Sequence, residues 1–384
     1  MKPATLTSSA ALRQRLITAD GASHLAACSI APRTIEVEQA LCRMFDDLAR
    51  PGFWRACEEQ ADQARRLFAQ LIGAHPDQIA ILPNASVAAY QVASSRRWRR
   101  RRELLASTAE FPGIAHTWLN RLQARVRWVG SCDGVAQTDD YLPQITPRIG
   151  MVSVPAVTYR DAVHLNVARI ADAAHSVGAT VFVDAYQAAG VMPLTVDGLR
   201  CDYLVAGTGK YLLGLPGLAF LYVRDPDGPP PTLTGWLGRV RPFDFRATVV
   251  DFPTHARRYE TGTPAAAAMY AAVAGLTLVN GLDLWQVRRH TQQLITAATR
   301  RLSAHGEVLR TAAHPDAQGA HVALFDPDAD AIAAWLGDRG ILAAPRGRVL
   351  RLATHAYTTD DDIDAACASV VSYRRHHRNQ SGGR

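Results

Sequence analysis

The chain contains 384 residues, 48% of them hydrophobic and 20% charged, a balance typical of a globular protein with a sizeable core. Its six cysteines show no CxxC or Cys/His spacing, which argues against a zinc site or a disulfide framework and favours a reducing cytoplasm. The sequence has no secretory signal pattern and no apolar run of the ~18 residues that a membrane span needs, so we expect a cytoplasmic protein with neither membrane contact nor a metal.

Apolar, β-branched runs alternate with helical patterns through the middle of the chain. The predicted strands are, in chain order, IAIL (79–82), GMVSVPAV (150–157), ATVFVDA (179–185), DYLVAG (202–207) and LAFLYV (218–223). Continuous apolar strands separated by amphipathic helices predict a parallel sheet covered on both faces. Because ligands of such sheets bind at the carboxyl ends of the strands, polar residues just past those ends are the candidates for chemistry.

The formal net charge of +7 is concentrated in SSRRWRRRREL (94–104), where the arginine run Arg96–Arg102 surrounds Trp98. One interpretation is a phosphate-binding patch with a stacking aromatic residue, as in a non-catalytic regulator that binds nucleic acid. The other is the solvated end of an amphipathic helix. We favour the second, because no helix-turn-helix, zinc-finger or RNA-binding signature accompanies the run.

A Pro/Gly-rich stretch at 224–235 interrupts the alternation, and a second αβ pattern follows the long helical region after residue 263. We predict an N-terminal segment (1–22), a large domain (23–262) and a small C-terminal domain (263–384) that ends in a basic disordered tail.

The stretch GTGKYLLGLPG (207–217) places a lysine among glycines just after a predicted strand. A nucleotide-binding P-loop requires GxxxxGK followed by Ser or Thr. Here Tyr211 follows Lys210, and Leu204 stands where the leading glycine belongs, so the P-loop interpretation fails. A lysine that forms covalent bonds is the alternative, with Gly207 and Gly209 predicted to let the backbone pass beneath a flat cofactor.

Asp184 and Gln187 follow the strand that precedes the lysine segment. A pyridoxal phosphate enzyme needs a carboxylate at the pyridine nitrogen, a donor near the ring phenolate and a lysine for the Schiff base. Asp184, Gln187 and Lys210 supply these three groups, each at the end of a predicted strand.

With VFVDAYQAAG and CDYLVAGTGKYLLGLPGLAFLYVRD, the chain resembles the class V aminotransferase family of fold-type I pyridoxal phosphate enzymes. The family includes kynureninase, cysteine desulfurases and isopenicillin N epimerase-like proteins. The resemblance extends from HLAACSIAPRTIEVEQAL (24–41) to LRLATHAYTTDDDID (350–364). Between these two segments lie LPNASVAAYQV, STAEFPGIAHTW, GWLGRVRPFDF and RRYETGTPAAA, all in family order. The resemblance implies a large α/β domain with a mostly parallel seven-stranded sheet, a smaller C-terminal α/β domain, and a homodimer with shared active sites.

The resemblance also implies a role for each matching residue. It implies that Lys210 forms the Schiff base and moves protons, that Asp184 pairs with the pyridinium, and that Gln187 touches the phenolic oxygen. The other implied cofactor-binding residues are Phe111 stacked on the ring, Ala85, Ser86, Val87 and Thr208 at the phosphate, and Thr263 and Trp236 at the neighbouring subunit's site. Arg351 matches the arginine that holds the substrate carboxylate.

Each assignment has a structural alternative. Ser86 could be only a helix cap, Phe111 and Trp236 could be core aromatics, and Arg351 could form a surface ion pair.

The chain departs from its relatives at three places. Asp161-Ala162 replaces a common Thr-Gly, so Arg160 or Asp161 is expected to face the substrate. Gly209 replaces a residue that often contacts the phosphate. Sulfur transfer through a persulfide is disfavoured, since no cysteine lies between Cys201 and Cys367.

We therefore expect an enzyme that forms an external aldimine with an amino acid and stabilises an α-carbanion. The preferred reaction is β-elimination of the C–S lyase type on a β-substituted amino acid, such as an S-substituted cysteine, in specialised metabolism. An aminotransferase or an amino-acid epimerase of the same family is the alternative.

Overall fold

The computed structural model describes residues 9–98, 101–120, 124–130, 135–310, 312 and 314–381. The helices are α1 Ser9–Arg13, α2 Ile35–Leu48, α3 Phe53–Ile72, α4 Ala85–Ser94, α5 Pro112–Leu119, α6 Thr138–Tyr141, α7 Val167–Ser176, α8 Val196–Leu199, α9 Ala266–Asn280, α10 Leu284–Ala304, α11 Ala329–Gly337 and α12 Asp360–Ser381. The strands are β1 Ser23–His24, β2 Ile79–Leu82, β3 Glu103–Ser107, β4 Arg125–Val129, β5 Ile149–Pro155, β6 Thr180–Asp184, β7 Tyr203–Gly207, β8 Ala219–Val223, β9 His321–Phe325, β10 Ile341–Leu342, β11 Ala344–Arg346 and β12 Val349–Ala353.

The central sheet has seven strands in the order β2-β8-β7-β6-β5-β3-β4. Strands β3 to β7 run parallel to one another, whereas β8 runs antiparallel to both β2 and β7. Every residue of β5 and β8 is buried, as expected for apolar runs with both faces of the sheet covered. The prediction of a mostly parallel seven-stranded sheet is confirmed.

Two strands of this sheet, β3 and β4, were not predicted. β3 follows the arginine run directly, and β4 has the sequence RVRWV. β4 lies at the edge of the sheet, and of its five residues only Val129 is buried. Polar alternation at an edge lacks the continuous apolar signal that identifies the central strands.

Helices α2, α3 and α9 pack together on one side of the sheet and share its hydrophobic core. A separate core lies between the antiparallel sheet β11-β12-β9 and helices α10, α11 and α12. β1 pairs with β10, so that Leu25 joins this second core. The sequence places α9 in the C-terminal domain, although its side chains pack with the large sheet; the domain boundaries remain a prediction.

The C-terminal basic segment is helical up to Ser381, and a disordered tail stays a prediction. Val370 and Tyr373 pack into the second core from α12. Arg374 forms ion pairs with Glu307 and Asp326 across the surface of that core. Apolar contacts and ion pairs together hold a segment that composition alone marks as solvated.

Trp98 is buried, with 6% of its surface exposed, and its indole nitrogen donates to the carbonyl of Ala93. Arg96 donates to the carbonyl of Gly150. Trp98 is therefore not presented for base stacking, whereas Arg99 and Arg100 lie outside the described residues.

Within the described part of the chain, no single helix has both the length and the apolarity needed to cross a membrane. One pair, α9 with α10, passes that test jointly but is bent by 85°. Most of α9 is buried in the core of the large sheet, which accounts for its apolar composition.

Candidate active site

Lys210 and Asp184 meet at the carboxyl ends of neighbouring parallel strands. Asp184 is the last residue of β6 and is 7% exposed, and Lys210 lies three residues beyond the end of β7. Burial lowers the pKa of Lys210 to about 8, against the opposing effect of the Asp184 charge. Burial also raises the pKa of Asp184, while the Tyr186 amide and Lys210 act to lower it. The pair is a buried carboxyl beside an amine that is neutral in part near physiological pH.

Gln187 lies beside this pair and has a buried oxygen without a partner. Its Nε2 donates to the carbonyl of Cys28 at 2.9 Å, which identifies the nitrogen of the amide. Its Oε1 has no hydrogen-bond partner among the described residues. An orphaned polar atom in a buried site fits a bound molecule that completes the pairing.

Phe111 presents a partly open ring to the lysine. The Lys210 Nζ lies 5.5 Å from the centroid of the Phe111 ring, which is 38% exposed and packs edge-on against Tyr159. An aromatic face this exposed argues against a purely core role. Stacking on the cofactor ring remains a prediction that this position suits.

The start of α4 holds the predicted phosphate-binding amides of Ala85, Ser86 and Val87. Its N-cap is Asn84, whose side chain accepts from the Val87 amide at 3.0 Å, so the alternative of Ser86 as the cap is wrong. The Ser86 hydroxyl donates to the Gly113 carbonyl at 2.8 Å. Helix α4 therefore offers the amide of Ser86 to an anion more readily than that of Val87.

The other three predicted cofactor contacts are Thr208, Trp236 and Thr263. The buried Thr208 hydroxyl faces the carbonyls of Leu215 at 2.5 Å and Leu218 at 3.2 Å, within its own loop. Trp236 packs in an aromatic cluster, and Thr263 is exposed before α9. The roles of Trp236 and Thr263 concern a neighbouring subunit and remain predictions.

The Arg351 side chain is an almost fully buried cation near Lys210. Only 1% of it is exposed, so the alternative of a surface ion pair is wrong. Its Nε donates to the Ala344 carbonyl at 3.1 Å and its Nη1 to the Tyr159 carbonyl at 2.9 Å. Its Nη2 is buried with no partner among the described residues, and its charge helps to lower the pKa of Lys210. One arm of the guanidinium is thus available to a carboxylate.

Arg160 and Asp161, the residues expected to face the substrate, belong to an ion-pair cluster. Asp161 is 1% exposed and accepts from Arg160 Nε at 3.2 Å and from Arg310 Nε at 2.7 Å. Arg160 keeps a third of its side chain exposed, whereas Asp161 is enclosed. Of the two residues, Arg160 is the one that can meet a ligand.

Sequence reasoning missed Glu110, although it precedes Phe111 directly. Its Oε1 accepts from the Ser153 hydroxyl at 2.6 Å, while its Oε2 is buried without a partner among the described residues. Burial, together with the charge of Asp184, raises the pKa of Glu110 to about 8. A charged residue directly before FPG was the only available signal.

His355 and Tyr186 were also missed. His355 Nδ1 accepts from the Ala356 amide at 2.7 Å, so its Nε2 carries the hydrogen and donates to the Tyr211 carbonyl at 3.1 Å. His355 thus holds the carbonyl of the residue that follows Lys210. Tyr186 lies between Asp184 and Gln187, and its ring centroid is 5.1 Å from the Lys210 Nζ.

The glycines around the lysine lie in close contact with other parts of the chain. A Cβ on Gly207 would approach the Tyr186 ring to 2.2 Å, and a Cβ on Gly209 would lie 2.8 Å from the nitrogen of Pro216. Both glycines allow this close approach of protein groups, and the passage of their backbone beneath a cofactor stays a prediction. No cluster of three or more His, Cys, Asp or Glu suited to a metal occurs in the described ranges.

The model of the family described as "Aminotransferase class-V" matches residues 53–364. The chain belongs to the class-V aminotransferase family. An uncharacterized aminotransferase of Bacillus subtilis, YcbU, is 35% identical over 367 residues, which cover 95% of this chain and 98% of the relative. A kynureninase of Deinococcus radiodurans is 28% identical and covers 81% of this chain and 77% of its own length.

Solved structures agree with this assignment at the level of the fold. A cysteine desulfurase from Thermococcus onnurineus superposes with a TM-score of 0.84 at 19% identity, covering 94% of this chain and 96% of that one. The protein is a fold-type I enzyme that depends on pyridoxal phosphate. The unpaired Gln187 oxygen, the buried Asp184 and the partly open Phe111 ring beside Lys210 all fit that cofactor.

Proposed function

We propose that this class-V enzyme catalyses β-elimination on an amino acid whose β-carbon carries a leaving group, such as an S-substituted cysteine. The observation that carries the substrate class is Arg351, whose buried Nη2 lacks a partner among the described residues and whose charge acts on Lys210. A substrate carboxylate at that nitrogen would complete the hydrogen bonding of the guanidinium. It would also place the substrate α-carbon in the same site as the lysine.

Four side chains would hold the cofactor. Lys210 would bond to it covalently, Asp184 would keep the ring nitrogen protonated, Gln187 would pair with the ring oxygen, and Phe111 would pack on the ring face. When bound, pyridoxal phosphate supplies an electron sink for the charge that develops on the substrate α-carbon.

Lys210 carries the proton in the proposed reaction. Its neutral amine accepts the proton from the α-carbon, and the substituent leaves the β-carbon with the electrons of its bond. A pKa lowered to about 8 keeps a useful fraction of both forms of the lysine near neutral pH. Elimination from an S-substituted cysteine followed by hydrolysis releases a thiol, pyruvate and ammonia.

Two features support elimination over the other reactions of the family. No cysteine lies between Cys201 and Cys367, which disfavours persulfide transfer. Arg160 and Asp161 belong to an ion-pair cluster, in which the partly exposed Arg160 is a cation for a polar β-substituent. A place in specialised bacterial metabolism and a cytoplasmic location are parts of the same proposal.

Transamination is the second candidate, because the Bacillus subtilis relative of 35% identity carries the name aminotransferase. Epimerisation is the third. All three reactions begin with proton removal from the α-carbon by Lys210, and they differ in what happens to the β-substituent and the amino group.

The proposed enzyme is a homodimer whose sites are shared. An exposed aromatic cluster of Trp236, Phe243 and Phe245 supports this, since Phe243 is 48% and Phe245 73% exposed. A surface of this kind is favourable to cover with a second copy. Analytical ultracentrifugation of the wild type and of Phe245→Ser tests the dimer, with a monomeric wild type contradicting it.

The reaction is tested by incubating the holoenzyme with S-substituted cysteines, with alanine and with D-amino acids. Elimination predicts thiol, pyruvate and ammonia from the S-substituted cysteines without an added keto acid. Product that forms only with an added keto acid would establish transamination, and inversion without release of ammonia would establish epimerisation. Lys210→Ala must abolish each reaction, while Lys2→Ala, a change of the other lysine in the chain, serves as control.

A further inference from the structure

Tyr186 extends from the cofactor-ring residues toward the first turn of α4. Its amide donates to Asp184 Oδ1 at 2.9 Å, and its ring lies 5.1 Å from the Lys210 Nζ. Burial keeps the pKa of the Tyr186 hydroxyl well above its ordinary value, against the opposing effect of the nearby Ala85 amide. The hydroxyl is therefore neutral at physiological pH and retains its hydrogen.

The chain makes room for the Tyr186 ring in this orientation. A Cβ on Gly207 would lie 2.2 Å from Cε1, 2.3 Å from Cζ and 2.4 Å from the hydroxyl oxygen of Tyr186. These distances are far below van der Waals contact, so the ring rests directly on the Gly207 backbone. The absence of a side chain at the end of β7 thus leaves room for both the ring and its hydroxyl.

Two side-chain donors that the family resemblance implies at the phosphate are missing here. Gly209 has no side chain, and it could not gain one without approaching the Pro216 nitrogen to 2.8 Å. The Thr208 hydroxyl has one hydrogen, which is directed to the carbonyls of Leu215 and Leu218. A phosphate at the start of α4 requires a donor from another position.

We propose that the Tyr186 hydroxyl binds the phosphate group of the cofactor, accepting from the Ala85 amide and donating to a phosphate oxygen. The ten-residue helix α4 supplies the amides that favour an anion, and Tyr186 adds the hydroxyl donor that Gly209 and Thr208 do not provide. This assignment is independent of which bond the enzyme breaks, because it concerns how the cofactor is held.

The test compares two ligands that differ only in the phosphate group. Full-length wild type and Tyr186→Phe are freed of cofactor and titrated with pyridoxal phosphate and with pyridoxal, and the dissociation constants are read from the visible absorption of the bound ligand. We expect Tyr186→Phe to weaken pyridoxal phosphate about tenfold, the size of one hydrogen bond to a charged group, and to leave pyridoxal within about twofold. Tyr90→Phe is the matched control. Tyr90 lies on α4, and its hydroxyl contacts Thr232 rather than the start of that helix.

Two outcomes would overturn the assignment. Equal weakening of both ligands would show that Tyr186 supports the ring or the lysine rather than the phosphate, and equal affinity of wild type and variant for both would show no contact. A second measurement guards against a misfolded variant, since inorganic phosphate should raise the melting temperature of cofactor-free wild type and of Tyr90→Phe more than that of Tyr186→Phe. Equal protection of all three proteins would contradict the proposal.

Discussion

The carboxyl group of Glu110 accepts a hydrogen bond of 2.6 Å from the Ser153 hydroxyl, in a site that leaves 3% of the glutamate exposed. Ser153 in turn accepts from the indole of Trp118 at 3.0 Å. This chain of contacts links strand β5 and helix α5 to the residue directly before Phe111. It places a second buried carboxyl beside Asp184, and neighbouring carboxyls in a dry site resist ionising together.

Glu110→Gln should change how the stability of the cofactor-free protein depends on pH. Burial raises the pKa of Glu110 from 4.5 to about 8, so the folded state holds a proton that the unfolded state releases between these values. Stability contributed by this proton is complete at low pH and is lost as pH rises through that window, by up to about 1.4 kcal/mol per pH unit. Glu110→Gln lacks this loss. In urea unfolding across the window, the free energy of unfolding of the variant should therefore rise relative to that of the wild type as pH rises. Glu59→Gln, at an exposed residue, should follow the wild type, and parallel curves for Glu110→Gln would contradict the prediction.

The capture of pyridoxal phosphate by Lys210 should follow an ionisation near pH 8. The neutral amine attacks the aldehyde, and burial lowers the pKa of this lysine from 10.5 to about 8. Stopped-flow absorbance of cofactor-free protein should therefore show a rate that rises with pH and levels off above that value. Because the charge of Asp184 raises the pKa of Lys210, Asp184→Asn should move the midpoint to lower pH. A midpoint near the ordinary lysine value would refute the argument.

Arg351→Lys should weaken substrate binding more than it slows the chemical step. Lysine keeps the charge but cannot donate to Ala344, Tyr159 and a carboxylate in the planar geometry of a guanidinium. We expect KM for the active amino acid to rise about 10- to 100-fold, as loss of a hydrogen bond to a charged group predicts. Arg348→Lys, which alters an arginine packed on Phe325 in the same hairpin, should leave KM unchanged. Equal KM values for the wild type and Arg351→Lys would remove Arg351 from the substrate site.

Gly207→Ala should destabilise the protein by about 1–3 kcal/mol, since the new methyl group would overlap the Tyr186 ring. Thermal unfolding followed by circular dichroism measures the effect. Gly228→Ala is the control, because a Cβ there would meet no atom within 4 Å. Replacing Tyr186 by alanine in the Gly207→Ala background should recover part of the lost stability. A double variant that is less stable than the sum of the two single changes would show that another contact is responsible.

The central sheet could be predicted because its inner strands are continuous apolar runs, and such runs are stable only when both faces are covered. The edge strand β4 could not, since its alternating RVRWV has the pattern of many surface segments. The helical end of α12 was missed because its basic sequence is typical of solvated segments. The ion pairs of Arg374 with Glu307 and Asp326, which stabilise this helix, join residues far apart in the chain.

The sequence by itself determined the reacting groups of the site, because Schiff-base chemistry requires a lysine and the pyridine nitrogen requires a carboxylate. The ends of neighbouring predicted strands place Lys210 and Asp184 together. Only the tertiary structure decided which polar groups are free and which are already bonded. The Thr208 hydroxyl is occupied by its own loop, whereas Arg351 keeps one unpartnered nitrogen among the described residues. The pKa shifts of Lys210 and Glu110 follow from burial by segments far apart in the chain, and a linear pattern does not contain that burial.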